Sequence, residues 1–265
     1  MNARTVRSLS YAAAVVVLVA LLLLWQWYAV TNRIFFLPAP SAIGEALWKQ
    51  WLPSAADGSR WLTGLAAIGQ TFASAMAGWG IAGVVGIVAG AILGRWRTLA
   101  DLADIPLLLV RSVPAVAVIP ICIVIFGLGL EMKLIVVSFG CIWPVLLNTV
   151  QGVGAINPVQ LDVARLSRLG LVARFVRVMV PAASPKIFAG LRVSMSMAIV
   201  VTVGAEMFAG AGGLGGMVLN ASATYDLPGL WAGLLIVALC GLAANYLFLL
   251  VERASLHWHT RRRTQ

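Results

Sequence analysis

The sequence contains about six apolar runs, each long enough to cross a lipid bilayer. Their approximate bounds are residues 9–30, 71–94, 105–126, 133–150, 187–208 and 230–251. A helix rises 1.5 Å per residue, so about 20 apolar residues span the hydrocarbon layer. Hydrophobic residues make up 61% of the 265 positions and charged residues only 11%, unlike the balance of a soluble domain. The sequence therefore predicts an all-α polytopic membrane protein with about six transmembrane helices.

The basic residues predict the orientation of these helices. The net charge of +10 lies in short clusters between the apolar runs, which does not resemble the continuous basic face of a nucleic-acid-binding protein. With the N-terminus inside, inner segments hold 13 Lys and Arg, whereas outer segments hold 4, at Arg33, Lys49, Arg60 and Lys133. Cytoplasmic loops are enriched in these residues, so both termini and the polar segment at residues 157–181 are predicted to be cytoplasmic.

Residues 1–70 are predicted to comprise one membrane helix and an outer segment. Arg4 and Arg7 precede the first run as they would in a signal peptide, but the run is too long and lacks a small-residue cleavage site. We therefore interpret it as a membrane helix. In the outer segment, Trp48 and Trp51 fit a short helix that lies on the membrane surface.

The second run carries a small residue at every fourth position. These residues are Gly78, Ala82, Gly86, Gly90 and Gly94. A spacing of four places them on one helix face, and small residues allow helices to approach closely in lipid. The stripe predicts a tightly packed helix, whose neighbour is either another helix of this chain or a helix of a second copy.

Prolines and charges mark the third and fifth runs. Three prolines, Pro114 among them, interrupt the third run, which also contains Arg111. Backbone groups freed by proline are tolerated only where protein or water satisfies them, so this run either lines a pathway or is a kinked helix. In the fifth run, Arg192 is near enough to the cytoplasmic end to snorkel, and Glu206 falls at the outer boundary. These four residues are the candidate pathway or gating residues.

No pattern in the sequence indicates catalysis or a bound metal. The glycines of GAGGLGG, residues 210–216, have the spacing of a dinucleotide-binding loop, but they follow a membrane helix and no strand precedes them. We predict an outer turn there. His257 and His259 are interpreted as part of an interfacial helix end, and the three cysteines as small apolar residues. The chain is therefore not predicted to be an enzyme.

The segment at residues 157–181 is too polar to lie in lipid and carries four arginines. Asn157 can cap a helix, and Gln160 falls at the third helical position, which is a variant of the capping box. The helix is predicted to run through Ala164, and the chain to turn near Gly170. A short helix of this kind is suited to docking into a groove of a partner; the alternative is a solvated connector.

This loop and several other motifs resemble one protein family. The stretch Asp162, Val163, Ala164 and Arg165, with Pro181 nineteen residues after the first, is similar to the coupling loop of permease subunits of binding-protein-dependent ABC importers. Six further motifs resemble the nitrate, sulfonate and taurine branch in the same order: LPAPSAIGEAL, RSVPAVAVIPICIVIFGLGLEMK, PVLLNTVQGV, FAGLRVSMSMAI, VGAEMFAG and GLG. The resemblance covers about residues 37–258 and is more specific for the family than for the solute.

The resemblance implies a type I ABC importer permease fold and a set of partners. These are a second permease copy, usually identical, two ATP-binding subunits and an extracytoplasmic binding protein, assembled at a bacterial-type inner membrane. ATP and Mg are expected on the partner subunits, and no cofactor on this chain. The implied division is a permease core at residues 71–258 and a basic cytoplasmic tail at residues 259–265. The alternatives are an ion-coupled secondary transporter, which should show matching halves and midplane acids, and a membrane-embedded enzyme.

The resemblance also implies which loop residues dock an ATPase. They are Asp162, Val163, Ala164, Arg165, Arg168, Leu169, Gly170 and Pro181. Aligned from Pro181, the first Glu of the family motif is Asp162, and its Gly is Arg168. Glycine would permit a turn with positive φ. Either the turn has moved to Gly170, or Arg168 pairs with an acidic site on its own ATPase.

Overall fold

A computed structural model of the chain describes residues 3–51, 60–168, 170–210 and 212–256. The described residues form helices joined by short connections. The helices are α1 (Ala3–Asn32), α2 (Pro40–Trp51), α3 (Arg60–Arg95), α4 (Arg97–Arg111), α5 (Ala115–Phe126), α6 (Leu130–Gly154), α7 (Pro158–Leu166), α8 (Leu171–Arg174), a π-helical segment (Phe175–Met179), α9 (Val180–Ala209), α10 (Gly213–Ala223) and α11 (Leu227–Ser255). The all-α prediction is confirmed, and the short helix predicted around Trp48 and Trp51 is present as α2. Its place on the outer membrane surface stays a prediction.

The chain divides into two compact units. The first comprises Met1–Ala66 and Met217–Ile236, and the second comprises Ala67–Gly216 and Val237–Gln265. In the first unit, Gln26 and Ser41 join α1 to α2 by two hydrogen bonds of 3.0 Å. The rings of Trp25 and Trp231 lie 5.5 Å apart, which packs α1 against α11. The division at residues 70 and 258 that the sequence suggests stays a prediction.

In the second unit, the small-residue stripe of α3 packs against α6 of the same chain. A Cβ built on Gly90 would come within 2.7 Å of the carbonyl oxygen of Leu146. Ala82 is only 1% exposed. The contacts advance in step along both helices, with Val137 against Gly78, Val145 against Gly86 and Val153 against Gly94. The two helices are therefore parallel, and the predicted neighbour belongs to this chain.

Helix α9 also packs in this core, and it runs antiparallel to α6. Gly190 of α9 lies against Pro144, and Gly152 of α6 lies against Ala183. The indole N–H of Trp79 in α3 donates a hydrogen bond of 2.9 Å to the hydroxyl of Ser194 in α9. In lipid there is no hydrophobic force between helices, so their association depends on close packing, which glycine permits.

The third apolar run is two helices, since α4 and α5 meet at an angle of 81°. Proline cannot continue a helix from the residue before it, and Pro114 accordingly stands at the N-cap of α5. Helix α3 ends beside Val153, near the last turn of α6, whereas α6 begins at the other end. The pair must therefore return the chain along the length of α6. Five other helices are long and apolar enough to cross a membrane, so the described residues provide up to six spans when the bent pair is counted as one.

Candidate functional site

The polar loop begins with the helix that the sequence predicts. Helix α7 starts at Pro158, and the side-chain oxygen of Asn157 accepts a hydrogen bond of 3.0 Å from the N–H of Val159. This bond satisfies one of the backbone donors that a helix N-terminus leaves free. The helix ends at Leu166, where the Ser167 N–H still donates to the carbonyl of Val163.

The two faces of α7 differ in what they contact. Ala164 is 3% exposed and is thus buried within this chain, so it is not on the free surface where we expected it to meet an ATPase. The exposed face instead carries Val159, Val163 and Leu166, which are 65%, 56% and 83% exposed. Asp162 is exposed as well. Leu169 and the side chain of Arg165 lie outside the described residues.

The turn after α7 is made by Arg168 and not by Gly170. Arg168 has φ of 52°, in the left-handed region, whereas Gly170 is not among the positive-φ residues. A residue with a Cβ is strained there by roughly 1 kcal/mol, because the Cβ crowds the following carbonyl. The expectation that the turn has moved to Gly170 is therefore wrong. The side chain of Arg168 is exposed.

Beyond the turn, the chain forms one long helix that returns to the membrane core. Helix α8, the π-helical segment and α9 follow each other without a break, with Pro181 in the first turn of α9. Beside the π-helical segment, a hollow of about 640 Å³ is lined by Ile156, Val163, Arg177 and Pro181 among others. The loop thus offers an exposed apolar helix next to an open hollow.

Glu206 is fully buried at the far end of α9 and holds the start of α10. One carboxylate oxygen accepts hydrogen bonds from the hydroxyl of Thr71, at 2.8 Å, and from the N–H of Gly215, at 3.0 Å. The other lies 3.4 Å from the ammonium of Lys133. Thr71 in turn accepts from the N–H of Leu214, at 2.8 Å. A carboxylate at a helix N-terminus is favoured by the helix dipole.

This network corrects one sequence-based interpretation and agrees with the turn predicted in another. Lys133 was counted as an outer-loop cation, but it is buried within α6. The glycine-rich stretch does turn, with φ of 63° at Gly210 and 68° at Gly212 and Gly213, and it then enters α10. A side chain at Gly213 would be strained by this positive φ, and its Cβ would crowd the carboxylate of Glu206, so glycine is strongly favoured there. The signal that could have revealed the pair was a lysine placed inside an apolar run.

Arg192 and Arg111 differ in their surroundings. Arg192 forms an ion pair with Glu252 of α11, so its charge is neutralised within the protein and does not need to snorkel. Arg111 is the last residue of α4 and is exposed. It lines a hollow of about 410 Å³ together with Ser112, Trp143 and Pro144. Pro114 is the N-cap of α5, at the bend between α4 and α5. No group of residues able to hold a metal ion occurs in the described ranges.

These helices and their apolar surfaces define a polytopic membrane protein. Residues 82–256 match the family described as the inner membrane component of binding-protein-dependent transport systems, and the chain belongs to this family.

Several known proteins are similar to this chain. A putative ABC transporter permease of Methanocaldococcus jannaschii is 35% identical over 64% of this chain and 64% of the relative. A putative aliphatic sulfonates transport permease of Bacillus subtilis is 29% identical over 66% of this chain and 63% of the relative. A nitrate import permease of Synechococcus elongatus is 31% identical over 54% and 52%, respectively. The matched stretch thus spans less than two thirds of each of these relatives.

Proposed function

We propose that this chain is the membrane-spanning permease subunit of an ATP-driven importer of small oxyanions. Two of the relatives are named for aliphatic sulfonates and for nitrate, and both of these solutes are oxyanions. The chain has no catalytic residue in this proposal: ATP and Mg bind to two separate ATP-binding subunits. A second copy of the chain completes the pathway, and an extracytoplasmic binding protein delivers the solute.

The observation that carries this proposal is the exposed apolar face of α7. Val159, Val163 and Leu166 are exposed on a helix of nine residues in a segment too polar for lipid. Exposed apolar side chains at helical spacing are typical of a helix that docks into a groove. Ala164 fixes the opposite face of α7 to this chain, so the helix is held in place for docking.

The proposed mechanism uses the unbroken helix that follows α7. Closure of the ATP-binding subunits around ATP displaces α7, and the helix that begins at Leu171 carries the displacement to the membrane core formed by α3, α6 and α9. Orientation follows from the excess of Lys and Arg, with the α7 loop and both termini in the cytoplasm of a bacterial-type inner membrane.

Docking is tested by co-purification of the ATP-binding subunit with variants of one exposed residue. Val163→Asp places a charge in the apolar contact and should reduce recovery of the ATP-binding subunit by at least about tenfold. Val163→Leu keeps the apolar surface and serves as the matched control. Equal recovery with both variants would mean that α7 is only a connector.

The energy source is tested by uptake into vesicles that contain the assembled importer. Uptake of ethanesulfonate or nitrate should require ATP on the side of the ATP-binding subunits and should persist after ionophores collapse the ion gradients. Uptake that follows a proton or sodium gradient without ATP would instead identify an ion-coupled secondary transporter.

A further inference from the structure

The hollow beside Arg111 lies near the middle of a membrane span. Trp143, which lines it, is 13 residues after Leu130 and 11 before Gly154, the ends of α6. At 1.5 Å per residue, these intervals are about 20 Å and 17 Å. A cation at this depth is costly in lipid and marks a functional site in membrane proteins.

The charge of Arg111 is not neutralised by a carboxylate within the part of the chain that the structure describes. Lys133 and Arg192 both have such a partner, in Glu206 and Glu252. The preceding acid on the same helix, Asp104, is seven residues earlier, a helical rise of about 10 Å. Arg111 therefore differs from Lys133 and Arg192, whose charges are paired within the protein.

A second donor at this hollow also has no acceptor. The indole N–H of Trp143 is buried, and no hydrogen-bond partner for it exists among the described residues. A buried donor without an acceptor is destabilising, which favours a conformation or an occupant that supplies an acceptor. The hydroxyl of Ser112 is different, because it already donates a bond of 2.7 Å to the carbonyl of Leu109.

We propose that this hollow, which we name the Arg111 hollow (Arg111, Ser112, Trp143, Pro144, Leu147 and Met197), binds the oxyanion group of the solute during its passage. Arg111 supplies the charge and fork-shaped donors that suit a sulfonate or nitrate. Leu147 and Met197 offer an apolar wall for a short alkyl chain. The volume of about 410 Å³ lies within the range of small-molecule sites. This inference rests on the proposed function, and it assigns to the permease its own selectivity for anions.

The test uses a single cysteine at Ser112 in a chain whose three native cysteines are replaced by alanine. Its rate of reaction is measured with a methanethiosulfonate reagent that carries a sulfonate and with one that carries a quaternary ammonium. An electropositive hollow should raise the ratio of the anionic to the cationic rate, and Arg111→Gln should lower that ratio at least about tenfold. Millimolar ethanesulfonate or nitrate should slow the anionic reagent in the chain with Arg111 intact.

A cysteine at the exposed Ser222 is the matched control, because its rate ratio should not respond to Arg111→Gln. The proposal would be overturned if the rate ratio at Ser112→Cys also did not respond to Arg111→Gln. It would be overturned as well if neither ethanesulfonate nor nitrate slowed the anionic reagent. Protection by vesicles of phosphatidylglycerol, but not by ethanesulfonate or nitrate, would identify a lipid headgroup site and overturn it as well.

This experiment needs no partner subunit, so it separates the two proposals. If the assembled importer shows no ATP-driven uptake while the Ser112→Cys ratio still depends on Arg111, the transport proposal fails and the anion site stands. The opposite outcome is ATP-driven uptake of ethanesulfonate that is unchanged by both Arg111→Gln and Arg111→Lys, together with a Ser112→Cys rate ratio that does not respond to Arg111→Gln. In that case the anion site fails while the transport proposal stands.

Discussion

Lys133 of α6 and Arg111, which lies beside α6, are two cations in opposite surroundings. Lys133 is buried near the start of α6, where it forms an ion pair with Glu206. Thr71 and the N-terminus of α10 donate hydrogen bonds to the same carboxylate. Arg111 borders an open hollow near the middle of the same helix, with no carboxylate partner in the described chain. Lys133 therefore joins helices within the chain, whereas the charge of Arg111 is free to bind an anion from outside the chain.

The difference shows why the presence of a charge in a membrane span does not by itself define a pathway. The cost of burying Lys133 is offset within the protein, so its charge is already used. The charge of Arg111 remains to be offset. Stability and transport should therefore respond to different cations, and this separation can be measured.

The largest expected effect is on the buried pair. Lys133→Met leaves the Glu206 carboxylate without its counter-ion and should lower the free energy of unfolding by about 3–5 kcal/mol. Arg111→Met should change it by less than about 0.5 kcal/mol, because the side chain borders an open hollow and has no carboxylate partner to lose within the described residues. Unfolding of the detergent-solubilised chain by denaturant would give both values.

The double variant Lys133→Met with Glu206→Gln provides the control for this pair. It removes both charges and should recover part of the lost stability. Equal destabilisation by Lys133→Met and Arg111→Met would remove the distinction between the two cations.

An intermediate effect is expected on the face of α3 that packs against α6. Gly90→Ala places a methyl group within 2.7 Å of the Leu146 carbonyl and should cost about 1–3 kcal/mol. Gly80→Ala is the same change on the same helix, but no atom lies within 4 Å of its Cβ. It should stabilise α3 by about 0.5–1 kcal/mol, since alanine is the better helix former. Thermal unfolding of the two variants side by side would distinguish the tightly packed face of α3 from its open face.

The smallest effect concerns the exposed loop cation. Arg168→Gly should raise the free energy of unfolding by about 1 kcal/mol, because glycine adopts the left-handed conformation without strain. Arg168→Lys keeps the charge and the strain, so its stability should match that of the unaltered chain. A loss of stability with Arg168→Gly would mean that the exposed charge contributes to the fold, contrary to the behaviour expected of Arg111.

The sequence predicts the helices of this protein better than it predicts their partners. Apolar length identifies the membrane helices, and the fourfold spacing from Gly78 to Gly94 correctly predicts a packed face. The pairing of Lys133 with Glu206 joins residues 73 positions apart, and no local pattern encodes such a distance. The position of Ala164 was also misjudged, because helical periodicity shows that a helix has two faces but not which face the rest of the chain covers.

The segment Val172–Ala209 runs for 38 residues, from the α7 loop to the Glu206 network. At the helical rise its length is about 57 Å, so a rotation of about 5° about one end moves the other by about 5 Å. Mechanically, the segment is a lever arm, and the ion pair with its glycine turn forms a fixed support at the end opposite the loop.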